Sequence, residues 1–526
     1  MRLFGLVIRD TALQVLAWLV VLGAMCGATP ASYQTSFPST VLREAAVAQA
    51  ADNAATLVLY GPLDSPGHPA QIFVWEMGAY VTIVAAVAGV LLATRLFRGW
   101  EADGRLELVR STGSRPSSPL VASVCWLVLV ALLLAALVGL VTGPHDIDGM
   151  SWRGAFGFGG VVGASFLVPA TATAVCAQVV PSVPGCRQAG LGLVLVAFGL
   201  RAWGDTYEHS RVSDLSFLGL RDVVAPFTDQ RFWALGAWLG VCLLLCVLAL
   251  LLQRGREYGS ALLRPRGGSS RRMRVRGPWG LAVRLGWTSG LAWLLGTGAG
   301  AALLTGMGRG AVERARSAPL DGGVLGASLG GGDPALGYVR FQGLLMGALI
   351  AVAGILVLRT VVADERSGRV EAVLATGRRR WEAVLSRAGW SLLVTLVLCT
   401  TTALVVGLVA ESELGGEANL SAAAWRDVLG QWPAVALVVA LATLLVALGT
   451  RFFPAAWFIW GAAAFISLLG EAVDLPDRVI EIGPFEHSPA GNALVDFKGC
   501  AILMGLALLV LAAAVAVHAR RDLHAG

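Results

Sequence analysis

The sequence predicts an all-α polytopic membrane protein. Twelve transmembrane helices are expected as two parallel six-helix repeats, a pseudo-dimer in one chain, with short cytoplasmic helices between spans. Three observations lead there. Hydrophobic residues make up 56% of the 526 residues and charged ones 14%, with a mean hydropathy of +0.71. A soluble chain of this length needs more charge to cover its surface, so lipid must be the solvent. Apolar runs of about 20 residues, enough to cross roughly 30 Å of hydrocarbon, recur twelve times. Finally, a fifteen-residue polar stretch occurs twice, 264 positions apart, each copy wedged between two such runs.

The predicted spans lie near 11–28, 72–94, 119–142, 154–180, 188–204, 231–252, 285–307, 341–358, 385–410, 432–450, 454–471 and 499–517, six in each half. The first half is residues 1–253, the second 277–526, and 254–276 is a linker. Residues Arg254 to Arg284 carry nine arginines, and their Pro, Gly and Ser content reads as a flexible cytoplasmic tether. No aromatic-rich fold accompanies that basic run, which argues against nucleic acid as a partner. Most of the 40 Lys and Arg residues fall in the termini and in loops on the same side. The positive-inside rule then puts both termini in the cytoplasm.

The N-terminus resembles a signal peptide, with Arg2 and Arg9 before an apolar core. However, Gly5 to Arg9 recurs as Gly280 to Arg284, and Leu16-Ala-Trp-Leu19 as Leu291-Ala-Trp-Leu294. That repetition predicts a retained structural helix preceded by a short amphipathic lead-in segment. Outer loops follow at 29–71 and 308–340, and tight turns join spans four and five of each half. Between spans five and six lie two semi-polar segments, 213–227 and 478–489, too short to cross. Each is either a re-entrant broken helix or a surface loop. The halves end alike, Arg256-Glu-Tyr-Gly-Ser-Ala matching Arg521-Asp-Leu-His-Ala-Gly. The eight cysteines are scattered singly, without metal-ligand spacing, which predicts neither a disulfide framework nor a metal site. Cys186 alone is expected in a loop. Many of the seventeen tryptophans fall near span ends and fit interfacial belts.

The repeated stretch carries the most information. The first copy holds Glu101, Gly104, Arg105, Glu107, Val109, Thr112, Gly113 and Arg115; the second holds Glu365, Gly368, Arg369, Glu371, Val373, Thr376, Gly377 and Arg379. These eight of fifteen aligned positions are identical, and Arg95 aligns with Arg359 upstream. Connecting loops usually drift faster than the elements they join; here the loop is the best-matched segment. On a helix, Glu101 with Arg105 and Glu365 with Arg369 have the favoured i, i+4 orientation. Leu106 with Val109, and Val370 with Val373 and Leu374, form an apolar ridge expected to face outward beside the charges. Thr112-Gly113 and Thr376-Gly377 supply helix stops. Glycine inside a helix is costly, so Gly104 and Gly368 suggest close approach of another backbone.

The six-plus-six layout, the E-x-x-G-R-x-E-x-V-x-x-T-G element after span two of each half, and the R-[ED]-x-x-[SA] endings resemble the fused permease subunits of actinobacterial ABC exporters. The most similar group is the polyketide-antibiotic (tetronasin-type) exporter family, and the resemblance covers essentially the whole chain. It implies a plasma-membrane permease whose coupling helices, Glu101 to Gly113 and Glu365 to Gly377, fit clefts on a separately encoded ATP-binding subunit. It also implies two copies of that subunit, which hold ATP and magnesium, with no cofactor bound by this chain. The cargo implied is an amphipathic or lipophilic compound such as an antibiotic. The copies diverge after Gly113 and Gly377, which leaves open whether both couple equally.

Other classes are weighed on their residues. A P-loop needs a lysine after a glycine, whereas the single lysine, Lys498, follows Phe497. This chain therefore builds no nucleotide site. An ion-coupled secondary drug transporter uses acids or histidines deep in its spans. Glu76 is the only acid placed within the body of a predicted span, Glu471 standing at the very end of 454–471, and all six histidines lie in loops or the tail. Glu76 aligns with Arg340, so the two are either an outer-gate pair or separate interfacial anchors. Gly326-Ala-Ser328-Leu-Gly330 matches the G-x-S-x-G pattern of hydrolases but lacks the strand-to-helix setting. No catalytic residue is expected. A non-transporting membrane scaffold remains the third reading.

Overall fold

The computed structural model describes residues 2–63, 67–113, 115–206, 210–255, 261–262, 277–317, 333–366, 368–375, 377, 379–415, 419–469, 476–487 and 493–521. Among them there is no strand, and eleven helices are long and apolar enough to cross a membrane. The protein is therefore an all-α, multi-pass membrane protein. The chain divides into two compact units, Met1–Arg271 and Arg272–Gly526. Most of the predicted linker 254–276, the motif at Gly326–Gly330 and residues 522–526 lie outside the described residues.

In the first unit, α1 (Arg2–Ala28) fuses the predicted lead-in segment and first span into one helix. The following loop is itself helical: α2 (Pro30–Ser36), α3 (Thr40–Asp52) and α4 (Ala54–Tyr60). Ser39 and Asn53 start α3 and α4 as side-chain N-caps, accepting from the amides of Leu42 and Thr56. The second span, α5 (Pro69–Thr94), runs into a π-helical turn at Arg95–Gly99 and a short α6 (Trp100–Ala102). After α7 (Arg105–Ser111) come the spans α8 (Ser118–Thr142), α9 (Trp152–Val179), α10 (Val183–Thr206) and α13 (Trp233–Arg254). Between the last two lie α11 (Ser210–Ser213) and α12 (Leu220–Val224). Cys186 sits buried within α10 rather than in a loop, and all eight cysteines are free thiols.

Small residues set how closely these helices pack. A Cβ at Gly159 of α9 would meet the Ala135 carbonyl of α8 at 2.1 Å, and one at Gly89 of α5 would meet the Phe166 carbonyl of α9 at 2.2 Å. Backbone contact of this kind gives membrane helices the dispersion attraction that lipid-facing leucines cannot supply. The 213–227 segment folds inward. Phe217, Leu218, Leu220 and Val224 are buried, and Ser216 donates to the Ala197 carbonyl at 2.7 Å. Apolar packing thus holds this segment against the neighbouring helices.

Buried cations hold the end of α4. Arg201 of α10 donates to the carbonyls of Val58 and Leu59, both at 2.6 Å, Arg221 of α12 donates to that of Tyr60, and the Trp75 indole donates to that of Gly61 at 2.8 Å. The last carbonyls of a helix have no intrahelical partner and carry the negative end of its dipole, so arginines suit them.

The second unit opens with α14 (Gly277–Ser317), a 41-residue helix that continues past the predicted loop boundary. α15 (Pro334–Arg366) is followed by α16 (Arg369–Leu374) and α17 (Arg380–Glu413). α18 (Leu420–Ala424) passes through a π turn at Trp425–Leu429 into α19 (Trp432–Leu448). The predicted eleventh span is α20 (Ala455–Leu469), whose 15 residues extend only ~22 Å. α21 (Asp477–Ile480) and a 3₁₀ turn at Pro484–Glu486 lead to the final helix, α22 (Ala493–Arg520). In this turn Phe485 is fully buried and its carbonyl accepts from Gln431 of α19 at 2.9 Å.

Candidate functional site: the repeated charged element

The two copies share one backbone. Gly104 has φ +71° and Gly368 φ +69°. The amide of Gly104 donates to Glu101 O at 3.2 Å, and that of Gly368 to Glu365 O at 3.1 Å. The amides of Glu107 and Glu371 each donate to the carbonyl of the preceding left-handed glycine at 3.2 Å. Both elements then stop at a second left-handed glycine, Gly113 with φ +78° and Gly377 with φ +81°. The expected helix stops are present in this sense.

Three sequence expectations are corrected here. Gly104 and Gly368 do not face another backbone, because a Cβ at either would meet nothing within 4 Å. They break the helix, supplying the left-handed turn that L-residues adopt only at a cost. The break also separates Glu101 from Arg105 and Glu365 from Arg369, so neither expected i, i+4 pair forms. The apolar ridge is turned the other way as well. Leu106, Val109, Val370 and Leu374 are half-buried, while Glu107, Leu108, Glu371 and Thr112 are exposed. Thr376 and the side chain of Val373 lie outside the described residues.

Each copy anchors its two shared charges differently. In the first, Glu101 pairs with Arg98 of its own π turn at 2.7 Å, and both side chains are buried. Arg105 reaches across to Asp10 of α1. Asp10 also accepts from the Arg95 guanidinium at 3.2 Å and the Trp100 indole at 2.9 Å. In the second copy both shared charges are paired as well. Arg369 pairs locally with Asp364 at 3.0 Å, and Arg387 of α17 holds the same carboxylate at 3.0 Å. Glu365 instead reaches Arg521, just past the end of α22, at 2.7 Å. Arg521 further donates to Val446 O at 3.1 Å, and its own carbonyl accepts from Arg380 at 3.0 Å.

Asp10, Arg98 and Arg521 were not singled out as site residues by the sequence. Arg521 carries a signal, since it opens the ending shared by the two halves. Asp10 carries none, because the aligned position in the second half is Leu285.

Glu76 and Arg340 each engage groups of their own half. Glu76 is half-buried in hydrogen-bonding contact with Tyr33, and Arg340 lies 3.9 Å from Glu486. The sequence reading also missed an acid within a membrane helix. Asp427, 2% exposed, lies in the π turn of the 420–448 helical run and pairs with Arg426 at 3.2 Å. Among the described residues, no group of His, Cys, Asp and Glu is placed to hold a metal ion.

Residues 275–519 match the family model described as the C-terminal domain of the multidrug efflux system permease Rv1217c. Over 542 aligned residues the chain is 28% identical to the multidrug efflux system permease protein Rv1217c of Mycobacterium tuberculosis (strain ATCC 25618 / H37Rv). That alignment covers 99% of this chain and 94% of the relative. At the level of an efflux permease, the resemblance read from the repeated element and this similarity agree.

Proposed function

We propose that the chain is the transmembrane permease subunit of an ATP-driven exporter of the tetronasin-type group. It moves amphipathic or lipophilic compounds, antibiotics among them, outward across the plasma membrane. The observation that carries this reading is one charged backbone element built twice, each copy fixed by ion pairs to membrane helices. Exposed Glu107 and Leu108, and exposed Glu371 in the second copy, present a small acidic and apolar face to a soluble partner. The glycine-bounded helices and their buried anchors make each element stiff, which a receiver of mechanical work requires. Two ATP-binding subunits, holding ATP and magnesium, dock on these faces and press on them as they close. Similarity to an efflux permease along nearly the full chain supports the same reading.

The test is reconstitution with and without the ATPase encoded beside this chain, using a lipophilic fluorescent cargo. ATP-dependent export only when both proteins are present is the expected result. Export by the chain alone, driven by a pH gradient without nucleotide, would overturn the reading.

Asp427 favours one second reading, an ion-coupled drug transporter working alone, because an intramembrane carboxylate is the usual carrier of a proton or sodium ion. Its pairing with Arg426 supports a structural role instead. Replacement of Asp427 by Asn decides between them: loss of gradient-driven transport supports the second reading, and unchanged ATP-driven export the first.

A further inference from the structure

We propose that the first unit carries a pocket for an amphiphile with an ammonium head, in which Asp222 takes the head and aromatic walls take the apolar body. The pocket lies between the end of α4, the start of α5 and the inward-folded 213–227 segment. Leu63, Val74, Trp75, Asp222, Ala225 and Phe227 line it. Its space is about 80 Å³, room for a head group, and its open side lets a tail leave. On the expected topology it faces the outside.

Charge decides what the pocket can hold. Arg201 lies 3.6 Å from Asp205 and Arg221 lies 2.9 Å from Asp222, two cations against two acids. Both pairs surround one backbone point, since a Cβ at Gly61 would lie 2.9 Å from Asp205 Oδ2 and 3.5 Å from the Arg221 guanidinium. Of the four, only Asp222 is open. Its side chain is 33% exposed, against 5% for Asp205, 2% for Arg201 and 1% for Arg221. Arg221 directs its donors inward, to the carbonyls of Trp75 at 2.6 Å and of Tyr60, and to the two Asp222 oxygens at 2.9 and 3.2 Å. A carboxylate has about four lone-pair directions, so Asp222 keeps acceptor capacity on its open side. The accessible member of a balanced cluster is thus an acid. It suits an ammonium and repels a carboxylate or phosphate.

The walls are fixed independently of any ligand. The Trp75 indole donates to Gly61 O at 2.8 Å, and its ring packs on Tyr60 with centroids 4.8 Å apart. The Phe227 ring lies against Gly154 of α9, where a Cβ would approach it to 2.4 Å. Beside it Ala225 holds φ +45°, a left-handed conformation costly to an L-residue. Its carbonyl accepts from the amides of Thr228 at 3.1 Å and Gln230 at 3.0 Å, which holds the turn in place. Strained residues of this kind gather at ligand clamps. A rigid indole beside a carboxylate attracts an alkylammonium twice over, since aromatic faces draw cations as well as hydrocarbon. Binding stands apart from what powers transport; only the ligand's identification as cargo rests on the proposed export reading.

Fluorescence titration of the full-length chain in maltoside detergent, without ATPase or nucleotide, is the test. The probes are a dansyl-labelled alkylamine with a free ammonium and the alcohol of equal chain length. The amine should bind about tenfold tighter than the alcohol. Asp222→Asn should abolish that preference and leave alcohol binding within about twofold, whereas Asp222→Glu should keep the preference. Leu63→Trp fills the pocket without touching the Arg221–Asp222 pair, and should weaken both probes about tenfold. Equal binding of amine and alcohol by the parent would overturn the proposal, as would a preference that survives Asp222→Asn. If Asp222→Asn does not fold, Leu63→Trp decides, and unchanged amine affinity in that variant overturns the proposal. Displacement of the amine by phosphatidylethanolamine and not by phosphatidylglycerol supports the pocket with a lipid as occupant. Export of the amine with the ATPase present, lost in Asp222→Asn, supports it with cargo as occupant. An amine bound as expected but never exported counts against the export reading and leaves the pocket standing.

Discussion

Arg521 donates to Glu365 at 2.7 Å across 156 residues of sequence, joining the residue after the last helix to the start of the second charged element. The Glu365 side chain is 6% exposed, so this is a largely dry ion pair whose geometry must be good to offset the cost of desolvation. In the first half the equivalent glutamate pairs with Arg98 of its own helix turn, at 2.7 Å. Duplicated sequence has thus been wired into two different surroundings.

Reversing charge at Glu107 and Glu371 together should cut export at least tenfold. Both side chains are exposed, so unfolding stability should stay within about 0.5 kcal/mol of the parent. Thermal unfolding in detergent and transport in proteoliposomes, measured on one preparation, check both halves of this expectation. Undiminished export in the double variant would remove these residues from the docking face.

Gly104→Ala and Gly368→Ala should each destabilise by about 1–2 kcal/mol, the cost of a left-handed L-residue. Nothing lies within 4 Å of either new methyl, so the loss is conformational alone. Asparagine at the same positions should cost less, since it tolerates that conformation better than alanine. Gly159→Ala should be far more damaging, because its methyl would sit 2.1 Å from a backbone oxygen that cannot withdraw. Comparing melting temperatures across the five variants distinguishes the two roles of glycine.

Arg98→Ala should cost about 3–5 kcal/mol by leaving Glu101 buried without its 2.7 Å partner. Removing both, Arg98→Ala with Glu101→Ala, should cost less than Arg98→Ala alone. Denaturation of the single and double variants completes the cycle. A double variant less stable than the single would show that the pair is not the issue.

The loop before α9 should loosen in acid. Hydrogen bonding from Arg43, at 2.9 Å, and then from His68 holds the Asp148 carboxyl below the usual carboxylate range. A depressed value in the folded state means the stabilisation is present above about pH 4 and is lost as pH falls through the lowered value. Protease cleavage within 37–68 should therefore rise below that range. In Asp148→Asn the same segment should be cleaved faster at neutral pH and show little further change in acid.

Much of the fold was legible because lipid imposes long apolar runs, and the runs locate the helices. The elements missed are those set by tertiary contact. The short helices α3 and α4 were read only as part of an outer loop, since hydropathy reports solvent preference and not local helix caps. Gly104 was placed correctly but explained wrongly. A glycine needed for close packing and one needed for positive φ look the same in sequence, and only the coordinates show open space beyond it. The repeated element itself was readable from one chain because duplication supplies its own alignment. Its anchors were not: Asp10 and Arg98 have no repeated counterpart, and pairing partners 95 residues apart leave no periodic trace.

The π turn at Arg95–Gly99 has no equivalent in the second half, where α15 runs unbroken to Arg366. At equal chain length, a turn that takes up one extra residue sets everything after it back by one residue's rotation, about 100° about the helix axis. The two copies of the charged motif are therefore out of phase, like identical keys cut on shafts turned a quarter-circle apart. Tightening residues 95–99 to α geometry at constant length would bring the first copy into the angular setting of the second, aiming Arg105 away from Asp10. The pitch of one turn thus sets the direction in which the motif faces without altering any of its residues.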